Sequence, residues 1–149
     1  MDRVSGGIAN RLSARFDKQP ECPLVKWPLA WSQLGAALRA DLTAILAEPA
    51  LERVATQVGS GLERLPPDAP FSMIYNGSPA LARLCYAVVR AMRPQVVVET
   101  GVCYGVTSSF TLGALEENGS GMLYSIDLPL LAKEADHYHG CLVPQHLRK

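Results

Sequence analysis

Apolar residues recur at helical spacing in three stretches of the chain. Leu34, Leu38, Leu42, Ile45 and Leu46 share one face behind Ser32, a hydroxyl cap, and predict a helix over 32–47. Pro49 stops it, because a helix rarely continues past the residue before a proline. Leu51, Val54, Val58 and Leu62 predict a second helix over 50–65, weakened in its later part by Gly59 and Gly61. The third signal is the sharpest. Ser78-Pro79 supplies a cap and a proline at the first helical position, and Leu81, Leu84, Cys85, Val88, Val89 and Met92 follow the helical repeat up to Pro94. Arg90 and Arg93 near its end suit the negative pole of the helix dipole.

After Pro94 the period changes. Gln95-Val96-Val97-Val98-Glu99 is a β-branched run without alternation, which suits a parallel strand buried on both faces. A turn over Thr100–Gly105, a helix from Val106 to Glu117 stopped by Asn118-Gly119, and a second strand over 122–127 complete the pattern. Helix, strand, helix, strand in this order is half of a doubly wound α/β sheet, with a right-handed crossover that brings both strand ends to one edge. The stiff Pro66-Pro67-Asp68-Ala69-Pro70 segment separates an N-terminal arm and helical region, 1–66, from the α/β unit, 71–149. Residues 1–31, interrupted by Pro20, Pro23 and Pro28, read as an irregular arm that either packs Trp27 and Trp31 onto the body or stays disordered.

Composition narrows the function. Lys plus Arg and Asp plus Glu number 14 each, so no basic bias calls for nucleic acid. Short basic groups such as Arg11–Arg15 and Arg148-Lys149 read as solvated surface. The N-terminus has no apolar core for a signal peptide, and no run of about 18 apolar residues predicts a membrane span. Cys22, Cys85, Cys103 and Cys141 form no C-x-x-C pair and match no zinc spacing, so a cytoplasmic setting is expected.

The chemistry concentrates in Val98-Glu99-Thr100-Gly101-Val102-Cys103-Tyr104-Gly105 and in Asp127 at the end of the next strand. Gly101 permits a tight exit from the strand. Gly105 permits close approach of helix and strand and leaves bare backbone for a ligand. The following helix offers unpaired N–H groups and a positive dipole end to a carboxylate or phosphate, with Thr107, Ser108 and Ser109 beside it. Asp127 stands where an acid accepts two hydrogen bonds from ribose hydroxyls. No Lys-Ser/Thr follows the glycines as a phosphate-binding loop requires, and Cys103 and Val106 replace glycines of a dinucleotide fingerprint. A ligand with a ribose, a carboxylate and an amine but no phosphate fits better, and S-adenosylmethionine has those groups. Glu99 is then placed to face the amine.

The stretch Val96–Ser109, V-V-V-E-T-G-V-C-Y-G-V-T-S-S, resembles the first motif of class I S-adenosylmethionine-dependent methyltransferases, in the branch related to catechol O-methyltransferases. Leu123-Tyr124-Ser125-Ile126-Asp127-Leu128-Pro129 resembles its second motif. Leu142-Val143-Pro144 with Leu147-Arg148 is similar to a segment that follows that motif in bacterial relatives. The resemblance spans roughly 71–149 and departs from the common form at Cys103, where that branch often lacks a glycine. It implies an incomplete Rossmann-like doubly wound sheet preceded by a helical N-terminal region. It also implies cofactor contacts from Glu99, Thr100, Gly101, Cys103, Tyr104, Gly105, Thr107, Ser108, Asp127 and Leu128, and methylation of a small molecule or glycan, for O-methylation above all. Catalytic residues are expected beyond residue 149, so the chain itself reads as an inactive fragment or truncated product. In that family the Tyr75-Asn76-Gly77-Ser78 segment can fold over the cofactor, although a turn and helix cap is the plainer reading. Asp136-His137-Tyr138-His139 could offer two imidazoles to a metal, but no third ligand is assured and no metal site is expected. Two other readings stay open: a nicotinamide-dependent oxidoreductase, which the missing glycines disfavour, and a non-catalytic remnant or interaction module with no cofactor affinity.

Overall fold

The computed structural model describes residues 25–128 and 135–148. Most of the expected N-terminal arm, with Cys22, lies outside them. Among the described residues, five helices, α1 (Trp27–Leu38), α2 (Leu42–Leu46), α3 (Pro49–Glu63), α4 (Pro79–Met92) and α5 (Val106–Asn118), accompany two strands, β1 (Val96–Thr100) and β2 (Met122–Ile126). Short 3-10 helices cover Met73–Tyr75, Ala135–His137 and Gln145–Leu147. The chain divides between Ala30 and Trp31 into two units, and the second carries everything that follows. No helix among the described residues is long and apolar enough to cross a membrane.

The first expected helix is two helices. Arg39 takes a left-handed φ of 52°, and the Ala40 N–H returns to the Gly35 carbonyl at 3.0 Å, which ends α1. Ser32 therefore lies inside α1 rather than capping it. The cap that matters is Asp41, whose Oδ1 accepts from the Thr43 and Ala44 N–H groups at 3.0 and 3.1 Å and starts α2. Asp41→Ala should cost about 1 kcal/mol, the usual worth of an N-cap, read as a fall of about 3 °C in the melting midpoint.

Helix α3 matches its pattern, with Leu51 and Val58 buried and Val54 and Leu62 packed on the core. Its N-terminal neighbour Glu48 anchors it to α4. The Glu48 carboxylate takes three bonds from the Arg90 guanidinium at 2.7, 2.8 and 3.2 Å and one from the Tyr86 hydroxyl at 2.6 Å. Arg90 also donates to the Asn118 side-chain oxygen at the end of α5, and Asn118 Nδ2 donates to the Val89 carbonyl at 2.9 Å. One ionic cluster thus fastens α3, α4 and α5.

Helix α4 starts as expected, with Ser78 Oγ accepting from the Leu81 N–H at 3.2 Å. Its buried stripe is rotated from the expected one: Ala82, Tyr86, Ala87 and Val89 are inside, whereas Leu81 and Met92 are exposed. Tyr86 can be fully buried because Glu48 satisfies its hydroxyl. Helix α5 is the centre of the unit. It packs against α3, α4 and β2, with Val106, Phe110, Ala114 and Leu115 in the core.

The strands pair in parallel, in the register Val96 with Met122 through Thr100 with Ile126. This is the α/β arrangement the pattern predicts, built as a two-stranded sheet. Burial on both faces is not observed. Val97 and Leu123 pack against the core, while Val96, Val98, Met122, Tyr124 and Ile126 form an open opposite face at 44–62% exposure. Helix α5 packs against β2, and the opposite face of the sheet stays exposed.

Candidate functional site

Parallel pairing brings the carboxyl ends of β1 and β2 side by side. The ladder runs one bond past the strands, from the Gly101 N–H to the Ile126 carbonyl at 2.9 Å, and then the chain turns. Gly101 adopts φ +80° and Cys103 φ 49°. Directly across, Asp127 reaches into the turn. Its Oδ2 accepts from the N–H groups of Val102 at 2.8 Å and Cys103 at 2.9 Å, and its Oδ1 accepts from its own neighbour Leu128 at 2.8 Å. Burial works against the charge, but the three N–H bonds and the nearby His139 outweigh it and hold the carboxyl below the ordinary Asp range.

The glycine turn and the acid thus meet, as the motif spacing requires. The geometry adds a constraint the spacing does not show. A carboxylate offers about four acceptor positions, and backbone N–H groups take three of them here. One remains on Oδ1, where room for two ligand bonds was expected. Space is available at Gly101, where a Cβ would meet nothing within 4 Å.

Gly105 differs from its expectation. Instead of leaving room for a ligand, its bare backbone is covered: a Cβ there would lie 2.8 Å from Gly140 Cα and 3.0 Å from Val143 Cγ2. The returning segment is fastened by the Gly140 N–H to the Cys103 carbonyl at 2.9 Å and the Leu142 N–H to the Tyr104 carbonyl at 3.0 Å. It also sets His139 Nε2 3.6 Å from Asp127 Oδ2, with the His139 ring edge-on to Phe71 at 4.7 Å.

Glu99 is held by internal donors. Its carboxylate accepts from the hydroxyls of Thr107 at 2.5 Å, Ser108 at 2.6 Å and Ser125 at 2.9 Å. Thr107 and Ser108, in the first turn of α5, thus direct their hydroxyls to Glu99. Tyr104 has no exposed surface; its hydroxyl accepts from the Phe71 N–H at 2.9 Å and donates to the Phe71 carbonyl at 2.8 Å. Its side chain is a core anchor, and only its backbone belongs to the turn. Thr100 ends β1 on the open face, and Leu128 is 84% exposed beyond Asp127. The Cys103 thiol is raised above its usual range, chiefly by burial, which suits a packed thiol rather than a nucleophile.

Beside this edge lies a cavity of about 270 Å³, walled by Leu123 and Ser125 of β2, Ser108 of α5, and His139, Gly140 and Arg148 of the returning segment. Sequence reasoning placed Asp127 and the turn but missed Ser125, Phe71 and His139 as their partners. Ser125 could have been found, as the single serine in an otherwise largely apolar strand. Gly140 and His139 carry no local signal, because their role depends on a chain return across the turn. Among the described residues no group of three His, Cys, Asp or Glu side chains could hold a metal. Comparison with family models, curated proteins and solved structures finds no match to this chain.

Proposed function

We propose that the β1–β2 edge is the S-adenosylmethionine site of a methyltransferase acting on a small molecule or glycan, within a Rossmann-like arrangement of the sheet. The observation that carries the reading is the Asp127 carboxylate, ionised, held across a glycine turn on the adjacent parallel strand, with open space over Gly101. That is where open α/β sheets bind nucleosides. In this reading Oδ1 of Asp127 takes a ribose hydroxyl, the Gly101 backbone faces the amino-acid portion, and Ser125, His139 and Arg148 offer polar groups around the neighbouring cavity. The cofactor supplies the activated methyl group; these residues bind and orient it.

Calorimetry with S-adenosylhomocysteine tests the proposal. Asp127→Ala should weaken binding at least tenfold, equivalent to about 1.4 kcal/mol. Because the folded carboxyl ionises below its ordinary range, affinity should stay flat down to about pH 5. An absence of binding by the unaltered chain, or equal binding by Asp127→Ala, defeats the reading. A second reading rests on the three internal donors that already hold each of Glu99 and Asp127: both acids serve only to shape the turn. It predicts a loss of thermal stability in Asp127→Ala with no cofactor affinity in either protein.

A further inference from the structure

We propose that the cleft between α3, α4 and the 73–79 turn binds a neutral apolar small molecule that presents one hydrogen-bond donor to Asn76. The cleft encloses about 540 Å³, within the range of pockets that hold small ligands. Val58 and Leu62 of α3, Ala82 of α4 and Phe110 of α5 form its apolar wall. Met73 and Ile74 stand at its edge, 55% and 81% exposed, so large apolar side chains wait in water beside an apolar cavity.

The polar groups of the wall narrow the ligand further. The Ser78 hydroxyl already accepts from the Leu81 N–H. Arg83, the one charged residue in the wall, directs its guanidinium to Glu52 at 3.4 Å, so the wall favours a neutral ligand. Asn76 differs. Its Nδ2 faces the Met73 sulfur at 3.4 Å, while its Oδ1 is shielded from water and has no hydrogen-bond partner. An unpaired buried amide oxygen is rare and calls for a donor. The terminal torsion of an asparagine is broad, so a modest rotation presents that oxygen to an O–H or N–H entering the cleft. The wall shares no residue with the Asp127 edge, and the inference stands without the methyltransferase reading.

Calorimetric titration of the whole chain with 1-naphthol, beside 1-methoxynaphthalene, which has the same ring but no donor, is the test. The expected result is binding of 1-naphthol at least fivefold tighter than of its ether. Asn76→Leu should remove that difference while leaving the ether's affinity unchanged. Gly59 lines the cleft, and a Cβ there meets nothing within 4 Å, so Gly59→Phe fills the cavity without disturbing its helix and should abolish both affinities with the melting curve preserved. Asp127→Ala should bind 1-naphthol normally. No binding by the unaltered chain, equal affinity for alcohol and ether, or binding that survives Gly59→Phe would overturn the proposal.

Discussion

Gly105→Ala should lower the unfolding free energy by about 3 kcal/mol and the melting midpoint by about 10 °C. Two costs add. The residue sits at φ +89°, where a Cβ costs about 1–2 kcal/mol through its clash with the following carbonyl. That Cβ would also press on Gly140 Cα at 2.8 Å and on Val143 Cγ2 at 3.0 Å. The first of these is backbone and cannot rotate away, so overpacking adds about 1–3 kcal/mol. Gly101→Ala provides the internal comparison. It bears a similar conformational penalty at φ +80°, but its Cβ meets nothing, so about 1–2 kcal/mol is expected. Urea unfolding of the two variants separates the contributions; equal losses would show that the returning 138–143 segment does not press on the turn.

Arg90→Ala should cost about 2–3 kcal/mol at neutral pH. The change leaves the Glu48 carboxylate with only the Tyr86 hydroxyl and strips Asn118 Oδ1 of its donor. Hydrogen bonds to charged groups contribute about 1.5–3 kcal/mol, and the side chains here are only 17% and 23% exposed, so solvent screens them incompletely. The pH dependence has a definite sign. The Arg90 hydrogen bonds pull the Glu48 carboxyl below its ordinary range; burial opposes them, and the Tyr86 hydroxyl and the Arg90 charge assist. A carboxyl lowered on folding stabilises the protein above its unfolded value and loses that contribution as pH falls through the folded value. The stability gap between the unaltered protein and Glu48→Gln should therefore be full at pH 7 and shrink in acid. A gap that stays constant from pH 7 to pH 3 would mean that Glu48 acts by shape alone.

The local elements were legible because their signals are local. Ser78-Pro79 starts α4, Asn118-Gly119 ends α5 with Gly119 left-handed, and the valine run and Met122–Ile126 form strands. The meeting of Asp127 with the glycine turn was legible too, since parallel strands joined by a helix end on one edge. What escaped was decided by contacts between distant segments. The break at Arg39 follows from Asp41 capping a new helix, a choice the continuous apolar pattern hides. The rotated face of α4 follows from Glu48, which lets Tyr86 go inside. Thr107, Ser108 and Asp127 were named as members of the site, but Ser125 and His139 were not named as partners of its two acids, because spacing along the chain does not reveal which donors arrive first.

The open side of the sheet has a practical consequence. Val96, Val98, Met122, Tyr124 and Ile126 make it an adhesive surface with no charge on it. Salts that are excluded from protein surfaces strengthen apolar association. The folded chain should therefore be retained on phenyl resin at moderate ammonium sulfate, and Tyr124→Lys should elute markedly earlier without a change in helical content.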